Sequence, residues 1–154
     1  MQVDIRIQTQ DFQLQQEYDL LLTQGRNIGA VVGFVGLVRD RDTDTPLASL
    51  FLEHFPEVTE NEIARIVQTA SERWLLTACT IIHRVGELRA DEQIVLVLVA
   101  SEHRKAAFAA AEFIMDYLKT EAPFWKKETF SDGFEHWVEA KQSDQAAAQQ
   151  WNTP

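Results

Sequence analysis

Cysteine is all but missing from this chain of 154 residues: Cys79 is the one thiol. An internal disulfide is therefore impossible, and a reducing, cytoplasmic compartment is expected. Long apolar runs are missing as well. The longest, Ile94–Ala100 and Ala106–Ala111, fall far short of the roughly 20 residues that cross a bilayer. The opening MQVDIRIQTQ has no apolar segment behind a basic one, so no secretory signal is expected. Basic residues are scarce, 14 Lys and Arg against 24 Asp and Glu, and the net charge of −10 argues against general nucleic-acid binding.

Several catalytic signatures are missing too. The four histidines, His54, His83, His103 and His136, lack HxH or HExxH spacing, so no metal site is expected. No serine sits in a GxSxG elbow. Gly29, Gly33 and Gly36 lie in GAVVGFVG, which matches neither GxGxxG nor GxxxxGK[ST]. Glycines within a strand pattern more often permit close backbone approach or a bulge. Cys79, inside Ala78–Ile82, reads as a small buried hydrophobe.

What is present describes one domain. Val3, Ile5 and Ile7 alternate as a strand; Phe12, Leu14, Tyr18, Leu21 and Leu22 follow at helical spacing until Gly25. Strands are expected over 30–38 and 49–55, pairing as a hairpin across the polar connection 39–46. Thr59-Glu60-Asn61-Glu62 reads as a capping box, with Thr59 as N-cap of a helix reaching Trp74. Strands 78–85 and 93–100 come next, then a helix over 103–119 with Ser101 as its cap. The last strands, 126–130 and 134–138, turn at Ser131-Asp132-Gly133. The expectation is an α+β domain over 1–140, mostly antiparallel, with about three helices. Residues 141–154, rich in Gln and Ala, read as a loosely held tail.

Function is suggested by where the few cations stand. Seven of the 14 basic residues form four short groups: Arg39 and Arg41; Arg104 and Lys105; Lys119; Lys126 and Lys127. Local rather than net charge selects a small anionic ligand. His103 and Arg104 stand at a helix N-terminus, where free N–H groups favour an anion. Lys119 stands at its C-terminus, and Lys126 and Lys127 alternate along a strand, so one of them faces a given pocket. Sixteen residues separate His103 from Lys119, roughly 24 Å of continuous helix. Either the helix breaks, or there are two sites, or one site is assembled across a dimer. The helix is apolar on most faces, which favours a symmetric homodimer whose pockets take His103 and Arg104 from one subunit and Lys119 and Lys126 from the other.

Five blocks in order, GxVxxFxGxVRD (Gly29–Asp40), LEHFPEVTE (Leu52–Glu60), HRVGEL (His83–Leu88), VASEHRKAAF (Val99–Phe108) and LKTEAPFWKKE (Leu118–Glu128), resemble the large, catalytic subunits of molybdopterin synthases. The resemblance runs from about residue 3 to residue 138. It implies an α/β hammerhead-like fold and a sulfurtransferase of molybdenum-cofactor biosynthesis. Such an enzyme converts cyclic pyranopterin monophosphate, a substrate rather than a bound cofactor, into molybdopterin. Sulfur would arrive as the C-terminal Gly-Gly thiocarboxylate of a small ubiquitin-like partner, and a central homodimer would carry one partner at each end, a heterotetramer. With the nucleophile brought by the partner, no Ser or Cys machinery is required here. Carried residue by residue, the resemblance makes Lys119 the catalytic lysine, with Lys126 beside it to ease proton donation by like-charge repulsion. Arg39, with the backbone of Leu37 and Val38, would hold pterin or phosphate, because a guanidinium forks onto phosphate oxygens. His103 and Arg104 would come from the dimer mate, and Lys127 and Glu128 complete the basic strand. Phe34, Met115, Phe124 and Trp125 are candidates to line the channel for the Gly-Gly tail. Two rivals use the same cations: a metabolite-sensing dimer that does not need Lys119, and an adaptor for a small acidic protein.

Overall fold

A computed structural model describes residues 1–40, 45–138 and 142–152, with the backbone alone at residue 142. The most apolar segment organises the rest. Strand β6 (Gln93–Ser101) is buried from Val95 onward, so it needs a neighbour on each edge and cover on both faces. It lies antiparallel between β4 (Ala78–Arg84) and β2 (Ala30–Leu37), and β1 (Gln2–Gln8) joins β4 in parallel, giving the order β1-β4-β6-β2. One face carries α2 (Val58–Arg73) and α3 (Arg104–Thr120), whose Ile63, Ile66, Ala110 and Ile114 pack on Cys79, Ile81, Val97 and Val99. Each fully buried Ile or Val contributes about 1.5–3 kcal/mol relative to exposure. The other face packs Ile82, Leu96 and Leu98 against Phe12 and Leu21, the latter from α1 (Leu14–Leu22). α1 is pinned by its buried Glu17, which pairs with Arg6 on β1 and raises the arginine's pKa.

The second sheet is antiparallel throughout, in the order β5-β3-β7-β8, with β3 (Leu47–His54), β5 (Gly86–Leu88), β7 (Phe124–Phe130) and β8 (Glu135–Val138). The turn between β7 and β8 places Gly133 at φ +88°, a conformation that suits glycine.

Five expectations are corrected here. The segments 30–38 and 49–55 do not form a hairpin: β2 pairs with β6, and β3 pairs with β5 and β7. A long connection does not dictate pairing as a two-residue turn does, and β2 is claimed by the buried strand. The box that opens α2 is Glu57 with Glu60, the Glu60 carboxylate accepting from the Glu57 N–H at 3.1 Å; Thr59 lies inside the helix. The Thr59 hydroxyl is fully buried, accepts from the Phe55 N–H at 3.0 Å, and donates to the Pro123 carbonyl at 2.9 Å. The N-cap of α3 is His103, while the Ser101 hydroxyl accepts from the His103 N–H at 3.4 Å and donates to the Leu75 carbonyl. Among the described residues the α-helices number four rather than three. The segment expected as a loose tail folds as α4 (Gln142–Gln149) and a short turn that brings Trp151 edge-on to Trp74 and Phe113, both at 5.5 Å. Residues 41–44 of the polar connection, including Arg41, and Glu139 to Lys141 lie outside the described residues.

The strand glycines do what close packing demands. A Cβ on Gly29 would stand 2.1 Å from the Glu102 carbonyl oxygen, and the register of β2 slips between Gly36 and Leu37. No helix among the described residues is long and apolar enough to cross a membrane.

Candidate active site

A pocket of about 450 Å³ opens where the two sheets meet at the C-terminal end of α3. The first sheet contributes His83, Ile94 and Val95; the last turns of α3 bring Met115, Leu118 and Lys119. β7 brings Phe124 and Lys126, and Val138 and Asp144 close the rim from β8 and α4. The bond from Thr59 to Pro123 anchors the chain between α3 and β7, so the segment carrying both lysines is fixed to α2. Lys119 lies in the last turn of α3, where the helix dipole favours a cation. Lys126 is half-buried, two residues from Phe124 and on the same face of β7.

His83 is 7% exposed. Its ring lies on that of Phe124, with centroids 4.0 Å apart at 20°. Nδ1 is 2.9 Å from the Arg84 carbonyl oxygen. Burial, above all, pushes its pKa down to about 3; the bond to Arg84 works against this, and Lys126, Lys119 and His54 add to it. The imidazole is therefore neutral at pH 7. Arg84 is also buried, but its guanidinium turns away, donating to the carbonyls of Thr9 and Gln93.

Of the residues picked out in the sequence, the structure brings Lys119 and Lys126 into one pocket. Met115 and Phe124 join them, whereas Trp125, on the other face of β7, is 52% exposed and stacks edge-on with Phe55 and Trp137. Lys127 also points to that outer face, with its ammonium 5.8 Å from the Trp137 ring. Glu128 is buried on the face that Lys126 shares. α3 runs unbroken from Arg104 to Thr120, so His103 and Arg104, both exposed, stand at its far end from Lys119. Leu37, the last residue of β2, and Arg39 beyond it are exposed, Val38 is buried, Phe34 is 40% exposed, and none of these lines the pocket. Sequence reasoning passed over His83. Its signal was present: Cys79, Ile81 and His83 alternate onto the helix-covered face of β4, and an imidazole ends an otherwise apolar row.

The arrangement defines a class before it defines a family: a single α+β domain whose pocket offers ammonium groups and a neutral imidazole, and whose sole thiol is shut away in the sheet. Comparison with known proteins agrees. Residues 7–121 match the MoaE protein family, and the chain belongs to that family. A molybdopterin synthase catalytic subunit from Mesorhizobium japonicum is 54% identical over 151 residues, spanning 97% of this chain and 93% of the relative. Another, from Vibrio cholerae, is 50% identical over 147 residues, spanning 96% and 97%. The solved structure of a molybdopterin biosynthesis MoaE protein from Burkholderia ambifaria is 47% identical, covers 99% of each chain and superposes with a TM-score of 0.84.

Proposed function

We propose that this chain is the catalytic subunit of a cytoplasmic molybdopterin synthase, and that the lysine pocket is where sulfur is transferred to cyclic pyranopterin monophosphate. The observation that carries the reading is the convergence of Lys119 and Lys126, from separate elements, on a pocket of about 450 Å³, in a chain half identical to proteins of that name. Both reactants are anionic, one a phosphate ester and the other a thiocarboxylate, and ammonium groups held in a partly enclosed site stabilise such charge more strongly than they do in water.

The chain's own residues then have distinct tasks. Lys119 stands beside the thiocarboxylate and stabilises charge developing at the pterin side chain, or donates a proton there. Lys126 holds the second anionic group. The sulfur enters on the C-terminal Gly-Gly tail of a small ubiquitin-like subunit, along an apolar wall made by Met115, Leu118 and Phe124. His103 and Arg104, at the far end of α3 from Lys119 in one subunit, complete the site from a dimer mate, Arg39 with the backbone of Leu37 and Val38 holds pterin or phosphate, and the whole assembly is a heterotetramer with a small subunit at each end.

Reconstitution tests the reading. The chain is mixed with thiocarboxylated small subunit and cyclic pterin precursor, and the dithiolene product is assayed as its fluorescent oxidised derivative. Product that depends on this chain and vanishes with Lys119→Ala is expected. A folded dimer that binds the small subunit and forms no product would move the chain to the adaptor class.

A further inference from the structure

One polar side chain of the pocket has no task in the sulfur transfer just described. Among the described residues that line the pocket, His83 is the one buried side chain able to hydrogen-bond; the lysines, Thr120, Glu121 and Asp144 are half-buried or exposed. The Phe124 ring lies on the imidazole and sets its plane, and the Arg84 carbonyl sets its rotation. A carbonyl oxygen only accepts, so Nδ1 carries the proton and Nε2, on the other edge of the ring, presents a lone pair. Nε2 makes no hydrogen bond among the described residues. Burial, with Lys126, Lys119 and His54 adding to it, keeps the ring neutral at pH 7. A neutral imidazole so oriented selects a donor, an N–H or O–H, and leaves anionic groups to the lysines. Two other acceptors on the wall are engaged: the Glu121 carboxylate receives Arg65 at 2.5 Å, and the Thr120 hydroxyl donates to the Asp116 carbonyl at 3.2 Å.

We propose that His83 is a binding residue for the sulfur-carrying tail, its Nε2 accepting a hydrogen bond from the amide N–H of the tail's last peptide bond. The inference rests on the reading that the tail enters this pocket. A Gly-Gly tail has no side chains, so its backbone N–H and C=O groups are all it offers for polar recognition. His83 shares a wall with Phe124, along which the tail enters, and its ring feels the charges of Lys126 and Lys119. A terminal anion held by those charges leaves the preceding amide beside the imidazole. A buried N–H with no acceptor would weaken the complex by roughly tenfold or more. One bond to a fixed acceptor thus sets how deep the tail is inserted and how it is turned, before any bond is made or broken.

The test removes the donor from the partner and leaves this chain intact. Two small subunits are prepared by semisynthesis, both ending in an ordinary carboxylate: one with the natural Gly-Gly amide, the other with an ester oxygen in place of that N–H. Calorimetry on the unaltered chain should give a Kd about tenfold weaker for the ester tail. The imidazole ¹⁵N resonance of His83 Nε2 should move when the amide tail binds and move less with the ester. Equal affinities, or an Nε2 resonance that is the same in both complexes, overturn the proposal. In His83→Phe, which keeps the ring stacked on Phe124 and has no acceptor, the amide and ester tails should bind alike. An undiminished preference for the amide in that variant would assign the N–H to another acceptor and overturn the proposal too. The ¹⁵N comparison needs no variant to fold. A small subunit that binds without its tail entering the pocket, so that deleting Gly-Gly changes neither the affinity nor the His83 resonance, sinks the transfer reading and the proposal with it. Equal amide and ester affinities in a complex that does form product sink the proposal alone.

Discussion

Lys126 and Lys127 are neighbours in the chain and project from opposite faces of β7: Lys126 lines the pocket, and Lys127 sits over Trp137, 3.8 Å from Glu135. Strand alternation thus divides one dipeptide between two tasks. Lys126→Ala is expected to lower reconstituted turnover by roughly 100-fold, the scale of losing one group that stabilises developing charge. Lys127→Ala should leave turnover within about threefold and cost no more than about 1 kcal/mol of stability, the worth of an exposed cation–π contact. Steady-state kinetics on the pair decides; equal losses would place both side chains at the substrate.

Lys119→Ala should abolish product formation while calorimetric affinity for the small subunit changes by less than about threefold. Loss of a cation that acts on the reacting atoms shows in kcat, whereas loss of a docking contact shows in binding. Near-normal product formation would remove Lys119 from its assigned role.

Acid should weaken the fold through His83. Its folded pKa, about 3, lies below its usual value of 6.5, so between those limits the unfolded chain takes up the proton more readily than the folded one. Stability contributed by the neutral ring is therefore complete above about pH 6.5 and is lost as pH falls towards 3, at up to roughly 1.4 kcal/mol per unit. Urea unfolding followed from pH 7 to pH 4 reads this slope, and His83→Gln should flatten it. A slope unchanged in that variant would assign the acid sensitivity to other groups.

Trp151 anchors the C-terminal helix. Its indole N–H donates to Asp116 at 2.7 Å, its carbonyl receives Arg73, and its ring meets Trp74 and Phe113. Trp151→Ala should cost about 2–3 kcal/mol in chemical denaturation, somewhat less than a fully buried tryptophan, because the side chain is half-buried. A change under about 0.5 kcal/mol would mean that α4 is held by other contacts.

Shared pockets predict complementation. If Arg104 serves the mate's Lys119, Lys119→Ala and Arg104→Ala are each inactive alone. Subunit exchange between equal amounts then creates hybrid dimers with one intact pocket, and overall activity should return to about one quarter of wild type. No recovery, in a mixture that sedimentation shows to be dimeric and exchanged, would place both residues in the same subunit's site.

Much of this was legible in the chain. Period-2 and helical patterns located β1, α1, α2, β4, β6 and α3, because burial on one face imposes a repeat that local residues reveal. Strand partners were not legible: whether 30–38 pairs with 49–55 or with 93–101 depends on which strand most needs cover, a property of the assembled sheet. The cap of α2 was misplaced by two residues because Thr59 and Glu62 mimic a box while Glu57 and Glu60 form it. α4 was missed because its Gln and Ala residues carry little signal; its docking is decided by Trp151 and its partners Trp74 and Phe113, far earlier in the chain. At the site, the lysines stood out as rare cations in an acidic chain. His83 did not, since a histidine in an apolar strand looks like core until a pocket is seen beside it.

The setting of Cys79 has a practical reach. The chain's one sulfhydryl lies in the middle of the first sheet, 1% exposed, and burial pushes its pKa up to about 12. The folded chain thus keeps this thiol protonated at neutral pH and shielded from alkylating reagents. In a mixture of synthase components, inactivation by iodoacetamide or maleimide would point to chemistry elsewhere. The same silence makes Cys79 a native reporter, whose labelling rate counts how often the sheet opens.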